Sequence, residues 1–198
     1  MLFRSYLITL RAKQNGSPTT GTVEAGETFT AALSIDMPEN APNTIYAQDI
    51  TITYDPDVFA FTNIKNLRNG LNIQIDSGTA GIVRILLVSI GGQNGISSDT
   101  DLLDLVFTAK NVPSIKTGIF VSNAVLADGN GYEFNAEISS INEVILINAD
   151  INGDGKVGVG DLGIIGRFYG EDVTQAPEAA AADINCDGVV GLEDITLA

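Results

Sequence analysis

Thr28-Phe-Thr-Ala-Ala-Leu-Ser-Ile-Asp-Met37 has a hydrophobic period of two: Phe29, Ala31, Leu33, Ile35 and Met37 fall on one side, with Thr28, Thr30, Ser34 and Asp36 among the residues on the other. Successive side chains of a strand point to opposite faces, so this spacing predicts a half-buried β-strand. Ile50, Ile52 and Tyr54 repeat the pattern against Asp49, Thr51 and Thr53. Further strands are predicted over Arg4 to Arg11, Asn72 to Asp76, Gly81 to Ile90, Leu102 to Ala109, Thr117 to Leu126 and Ser139 to Ile147. Turn residues separate them: Gln14-Asn-Gly-Ser17, Asp55-Pro56, Asp76-Ser-Gly78, Gly91-Gly-Gln-Asn-Gly95 and Asp128-Gly-Asn-Gly131. Many short strands at regular spacing, with no helix of useful length among them, predict an antiparallel β-sandwich over residues 1–147, long enough to bury a sizeable core.

Beyond Ile147 the pattern changes. Asp150-Ile-Asn-Gly-Asp-Gly-Lys-Val-Gly-Val-Gly-Asp161 and Asp183-Ile-Asn-Cys-Asp-Gly-Val-Val-Gly-Leu-Glu-Asp194 are two copies of one loop, offset by 33 residues. Asp150, Asn152, Asp154 and Asp161 take positions 1, 3, 5 and 12 of a calcium loop, and Lys156 would offer its backbone carbonyl at position 7. Asp183, Asn185, Asp187 and Asp194 repeat the set, with Val189 supplying the carbonyl. Gly155 and Gly188 stand at position 6, where the chain must turn sharply. Three carboxylates within twelve residues repel one another unless a divalent cation lies between them. A single DxNxDG would read equally well as an acidic turn. Two copies matched at every side-chain ligand, at the glycine and at the apolar position 8 (Val157, Val190) predict two Ca2+ sites.

An EF-hand has a helix before each loop and usually Glu at position 12. Neither holds here: the run Glu143-Val-Ile-Leu-Ile-Asn-Ala149 reads as a strand, and Asp closes both loops. A helix is predicted after the first loop, from Val159 to Tyr169, with Leu162, Ile165, Phe168 and Tyr169 as its apolar stripe and Gly170 as its stop. Pro177 and Glu178 to Ala182 predict a short helical turn into loop two. Loop-then-helix repeated over residues 148–198 resembles the dockerin module of cellulosome-type assemblies, a small α-helical F-hand module. In that family partner choice rests on loop positions 10 and 11, here Val159 and Gly160, then Leu192 and Glu193, and on a basic residue further along the helix, matched by Arg167. The common hydroxyl pair is absent, so the resemblance implies a different specificity. Only four residues follow Asp194, consistent with either a cut chain or an incompletely packed second half.

With a dockerin-like tail in place, the order of signals in the sandwich resembles a cohesin, the jelly-roll receptor of dockerins, whose fold is shared with carbohydrate-binding modules. The residues that carry the resemblance are Glu24-Ala-Gly-Glu-Thr-Phe29, Asp49-Ile-Thr-Ile-Thr-Tyr-Asp-Pro-Asp-Val58, Leu102-Leu-Asp-Leu-Val-Phe-Thr-Ala109 and Val125-Leu-Ala-Asp-Gly-Asn-Gly131. It implies that Asp49, five residues before Tyr54, contacts a docked helix, with Thr51 and Thr53 beside it. Ala47 stands where the family often keeps Asn. Asp49, Thr51 and Thr53 are equally what the solvated face of a half-buried strand would carry.

Composition narrows the function classes. A net charge of −15 over 198 residues disfavours nucleic acid and anionic membranes as partners. No apolar run approaches the roughly eighteen residues a membrane span needs. Met1 to Leu10 contains Arg4 and lacks an apolar stretch followed by a small-residue cleavage site, so it does not read as a signal peptide. An extracellular setting is expected, because cytosolic calcium is too scarce to fill weak sites and the resemblance implies secretion. The chain has no His and one cysteine, Cys186, which excludes a Cys-His pair and an internal disulfide. Cys186 is expected to be exposed. No carboxylate pair is marked for glycoside hydrolysis, so no enzymatic activity is expected. Two readings remain: an adaptor that binds dockerin- or cohesin-bearing proteins, or a carbohydrate-binding module tethered by its dockerin. Sugar platforms use exposed aromatic rings; the chain has no Trp, and Tyr46, Tyr54, Phe29 and Phe107 sit in patterns that predict burial, favouring a protein ligand.

Overall fold

A computed structural model describes residues 5–14, 17–18 and 21–198. Arg4 of the first expected strand, and Asn15 and Gly16 of the first expected turn, lie outside them. The strands in chain order are β1 (Leu7–Gln14), β2 (Ser17–Pro18), β3 (Thr22–Glu24), β4 (Thr28–Asp36), β5 (Ile45–Tyr54), β6 (Phe59–Asn66), β7 (Leu71–Asp76), β8 (Ile82–Ser89), β9 (Thr100–Ala109), β10 (Ile115–Asp128), β11 (Glu133–Asn135), β12 (Glu137–Ser139) and β13 (Ile141–Ile147). One sheet has the order β12-β1-β4-β9-β6, with β2 beside β1; the other has the order β3-β13-β10-β5-β8-β7, with β11 beside β10.

The two sheets face each other across one apolar layer. Phe29, Leu33 and Ile35 of β4 meet Ile50 and Ile52 of β5, as the period of two requires. Phe107 lies 5.8 Å from Phe29, 5.2 Å from Tyr54 and 5.6 Å from Phe61, and this aromatic group fills the interior near the Asp55-Pro56 turn. That turn is closed by Phe59 N–H donating to the Asp55 carbonyl at 2.9 Å.

The sandwich is antiparallel except for two short pairings, β1 with β12 and β13 with β3, which are parallel. The single strand expected over Ser139 to Ile147 is divided: β12 belongs to one sheet and β13 to the other, and the chain crosses between them at Ser140, whose Oγ accepts from the Val121 N–H. The edge strand β6 was not foreseen, because Asn63, Lys65 and Asn66 dilute its alternation and its place is fixed by pairing with β9.

The tail forms α1 (Val159–Phe168), a 3₁₀ turn at Pro177–Ala182 and α2 (Leu192–Leu197) around a second, much smaller cluster of Ile165, Ala179, Ala182, Ile184 and Val190. The expected helical stripe is only partly right. Ile165 is buried and Ile164 and Phe168 pack beside it, while Leu162 and Tyr169 face outward, because the tail covers α1 along one narrow side. Gly170 does stop the helix, with φ +86° after Tyr169. Among the described residues no helix is long and apolar enough to cross a membrane.

Candidate functional site

The two acidic loops adopt the same hydrogen-bond scheme. Asp150 accepts from the N–H groups of Asp154 (3.0 Å) and Gly155 (2.8 Å); Asp183 accepts from those of Asp187 (3.1 Å) and Gly188 (2.9 Å). Asn152 and Asn185 accept from the N–H two residues on, at 2.8 and 2.9 Å, and Asp154 and Asp187 do likewise from Lys156 and Val189. Each is the tight Asx geometry that Asp and Asn favour. Gly155 and Gly188 have φ +85° and +101°, so the sharp turn at position 6 is present in both.

Position 12 ties loop to helix. One oxygen of Asp161 accepts from the Asn152 N–H at 3.0 Å, and the other from the Gly158 N–H, the N-cap of α1, at 2.8 Å. Asp194 does the same with Ile184 at 2.7 Å and with Gly191 at 2.7 Å before α2. A carboxylate in the first helical turn that reaches back to the cap satisfies an otherwise orphaned donor and complements the helix dipole.

Asp161, Asp183 and Asp194 are buried. The N–H of Asn152, with that of Gly158 behind it, holds the Asp161 carboxyl below the usual carboxylate range. Burial pushes the Asp183 carboxyl up, against the pull of the Gly188 and Asp187 N–H groups, and the charges of Asp194 and Asp187 push it further. Asp183, buried with the charges of Asp194 and Asp187 about it, belongs to a set of hard oxygen donors of the kind a divalent cation takes. Among the described residues no three acidic side chains converge on one point. Asn152 Nδ2 instead donates to Asp154 at 3.2 Å, and Asn185 Nδ2 to Asp187 at 2.9 Å. In each loop the amide thus bridges to the next acid, its Oδ1 accepting from that residue's N–H and its Nδ2 donating to that residue's carboxylate.

The copies are not equivalent. Val190 is buried against Ile165, whereas Val157 at the same loop position is 51% exposed. Ala198 stands where Ile165 stands in the first repeat, and a methyl group covers far less than an isoleucine. Cys186, expected to be exposed, is half-buried. Burial raises its thiol, with the Asp183 and Asp194 charges adding, which makes it a poor nucleophile.

The residues at loop positions 10 and 11 are outside the metal loops' hydrogen-bond scheme and face solvent. Val159 is 87% and Leu192 60% exposed, and Gly160 and Glu193 are exposed beside them. A Cβ on Gly160 would stand 2.8 Å from Asn152 Nδ2, so this glycine also has a packing role. Arg167 is exposed, its guanidinium 4.8 Å from the Phe168 ring centre.

A second candidate surface lies on the outer face of the β10-β5-β8-β7 sheet. Asp49, Thr51 and Thr53 alternate outward along β5, as the sequence predicts. Arg84 of β8, which sequence reasoning did not single out, holds Asp49 with Nε at 2.9 Å and Nη2 at 2.6 Å. This fork keeps the Asp49 carboxyl below its ordinary range. Asp49, Leu86, Val88, Gln74 and Glu133 line a shallow groove of about 320 Å³. The alternation in Gly81 to Ile90 gives the outward residues of β8, but only the β5–β8 register places Arg84 and Leu86 beside Asp49. The aromatic expectation is partly corrected: Phe29 and Phe107 are buried, Tyr46 and Tyr54 half-buried, and Tyr132, 66% exposed, is an open ring stacked near Phe134.

Comparison with known families matches the cohesin domain over residues 17–146 and the type I dockerin domain over residues 148–197. Among solved structures, a cohesin module from the family 33 glycoside hydrolase of Clostridium perfringens is 25% identical, with a TM-score of 0.62 over 72% of this chain and 96% of that one. A cohesin of a type I cohesin–dockerin complex from Clostridium thermocellum is 16% identical (TM-score 0.57; 73% and 100% covered). A non-cellulosomal cohesin from the archaeon Archaeoglobus fulgidus is 12% identical (TM-score 0.54; 73% and 93% covered). The search of curated proteins found no match.

Proposed function

Because the chain belongs to the cohesin family and carries a type I dockerin domain directly behind that module, we propose that it is a non-catalytic adaptor working by calcium-dependent docking at both ends. The division falls at residues 147 and 148. The receptor face is the outer sheet around Asp49, Thr51 and Thr53, with Arg84 orienting the carboxylate. The docking face is Val159, Gly160, Arg167, Leu192 and Glu193. Asp150, Asn152, Asp154, Asp161 and the Lys156 carbonyl hold one calcium ion; Asp183, Asn185, Asp187, Asp194 and the Val189 carbonyl hold a second.

The observation that carries this reading is the double use of Asp161 and Asp194, each of which belongs to a loop and also caps the helix that presents the exposed residues. An ion that fixes the loop thereby fixes the helix, and its binding free energy becomes folding free energy for a segment with a very small core. The partners are cohesin- and dockerin-bearing proteins, and the setting is an extracellular polysaccharide-degrading assembly, where calcium is plentiful.

Affinity capture from the source secretome tests this. Cohesin- or dockerin-bearing proteins should be retained in calcium and lost in EDTA. Retention on insoluble cellulose or chitin, without protein partners, would instead support the sugar-binding reading, for which Tyr132 is the available ring.

A further inference from the structure

β13 ends at Ile147 and the first acidic loop begins at Asp150, so the junction between sandwich and tail is two residues long. Asn148 fills it with hydrogen bonds. Its N–H donates to Ser114 Oγ at 2.9 Å, its Nδ2 donates to Asn111 Oδ1 at 2.9 Å and to the Val112 carbonyl at 3.0 Å, and its Oδ1 accepts from the Asp150 N–H at 3.1 Å. The tail is thereby fastened to the loop that precedes β10, whose second residue is Lys116.

The groove at Asp49 is at the other end of the same sheet. In the β5–β10 register Asp49 pairs with Val125, nine residues beyond Lys116, which at strand rise is about 30 Å. A tail clamped at one end of β10 with no linker does not reach that groove. The molecule therefore presents a docking face and a receptor face that it cannot close on itself.

The two faces match in their apolar residues and at one charge, Arg167 against Glu133, since Asp49 is already held by Arg84 and Glu193 adds an acid to the docking face. The groove brings apolar Leu86 and Val88 next to the acids Asp49 and Glu133. The charged residues of α1 are Asp161, which is buried, and Arg167, which is exposed; Val159 and Leu162 supply outward apolar surface. Gly163 and Gly166 meet nothing within 4 Å and allow close approach to a flat sheet. Resting on the docking function above, we propose that each face is filled by the complementary face of a second copy of this chain, with Val159, Leu162 and Arg167 of one molecule seated against Leu86, Val88 and Glu133 of the next. Such a contact is heterologous, so it builds open chains, or rings where the rotation closes. The net charge of −15 opposes it at long range. Near physiological ionic strength, with a Debye length of about 8 Å, that repulsion is screened, whereas the contact itself is short-range.

Sedimentation velocity of the full chain in reducing buffer, with calcium or with EDTA, tests the proposal. In calcium the protein should form concentration-dependent species larger than a monomer, which collapse to monomer in EDTA. Arg167→Glu and Val88→Asp, both at exposed positions, should each weaken self-association at least tenfold while circular dichroism stays unchanged. Mixed together, the two variants should form a complex that stops at two copies, because one retains an intact groove and the other an intact tail. A holo-protein that stays monomeric while its tail is folded by calcium would overturn the second copy as partner and leave docking to other proteins standing. Absence of any calcium uptake would overturn both.

Discussion

Gly153 and Cys186 occupy the same position of their loops, and both have left-handed backbones, φ +72° and +56°. Glycine visits that region without cost, whereas a residue with a Cβ pays about 1 kcal/mol or more. Cys186→Gly is therefore expected to stabilise the calcium-bound tail by about 1 kcal/mol, read as a higher midpoint for loss of helical dichroism. At Asp49 the Arg84 fork is the main cause of the lowered carboxyl, ahead of the opposing effect of burial. Its contribution to stability is fully present above the unfolded value of about 3.9 and is lost only as pH falls through the lower folded value. The pair is then intact across the neutral range. In Arg84→Ala the Asp49 carboxyl should titrate higher than in the unaltered chain, because only the upward push of burial remains, measured by NMR of its carboxyl carbon; an unchanged titration would remove Arg84 as the cause.

At the scale of elements, α1 depends on one buried side chain. Ile165 is its sole fully buried apolar residue and meets Val190 and Ile184 of the second repeat, so each repeat completes the core of the other. Backbone bonds reinforce the crossing: Gly170 N–H donates to the Val190 carbonyl at 2.8 Å and Val190 N–H to that of Glu171 at 3.0 Å. Truncating a buried isoleucine costs about 2–5 kcal/mol, against roughly 3–7 kcal/mol for the whole stability of a segment of this length. Ile165→Ala should therefore melt both α1 and α2 even in calcium, seen as loss of amide protection in both helices at once. Protection retained in α2 would mean that the repeats fold independently.

Across the whole molecule the two apolar clusters are separate, one between the sheets and one within the tail. Removing a loop carboxylate should act on only one of them. Asp187→Ala is expected to lower calcium affinity by more than the roughly 10–100-fold that loss of an outer-shell partner costs and to unfold the tail, while the sandwich keeps its own melting transition in calorimetry. Loss of both transitions together would show that the Asn148 junction couples the two modules energetically as well as geometrically.

Most of this was legible along the chain. Alternation in Ile50 to Tyr54 determined a two-faced strand, whereas in Thr28 to Met37 it marked the inner side only, since Ala32 and Ser34 on the other side are buried as well; the duplicated loops determined their own turns, because a tight Asx loop is closed by residues two to five apart. What the sequence by itself could not supply was every contact between residues distant along it. The division of the last strand between two sheets, the edge strand β6, the fork of Arg84 on Asp49 and the burial of Val190 but not Val157 all came from register and packing. Local period and turn chemistry follow from covalent neighbours, whereas which strand lies beside which is decided by the shared interior that all of them must fill at once.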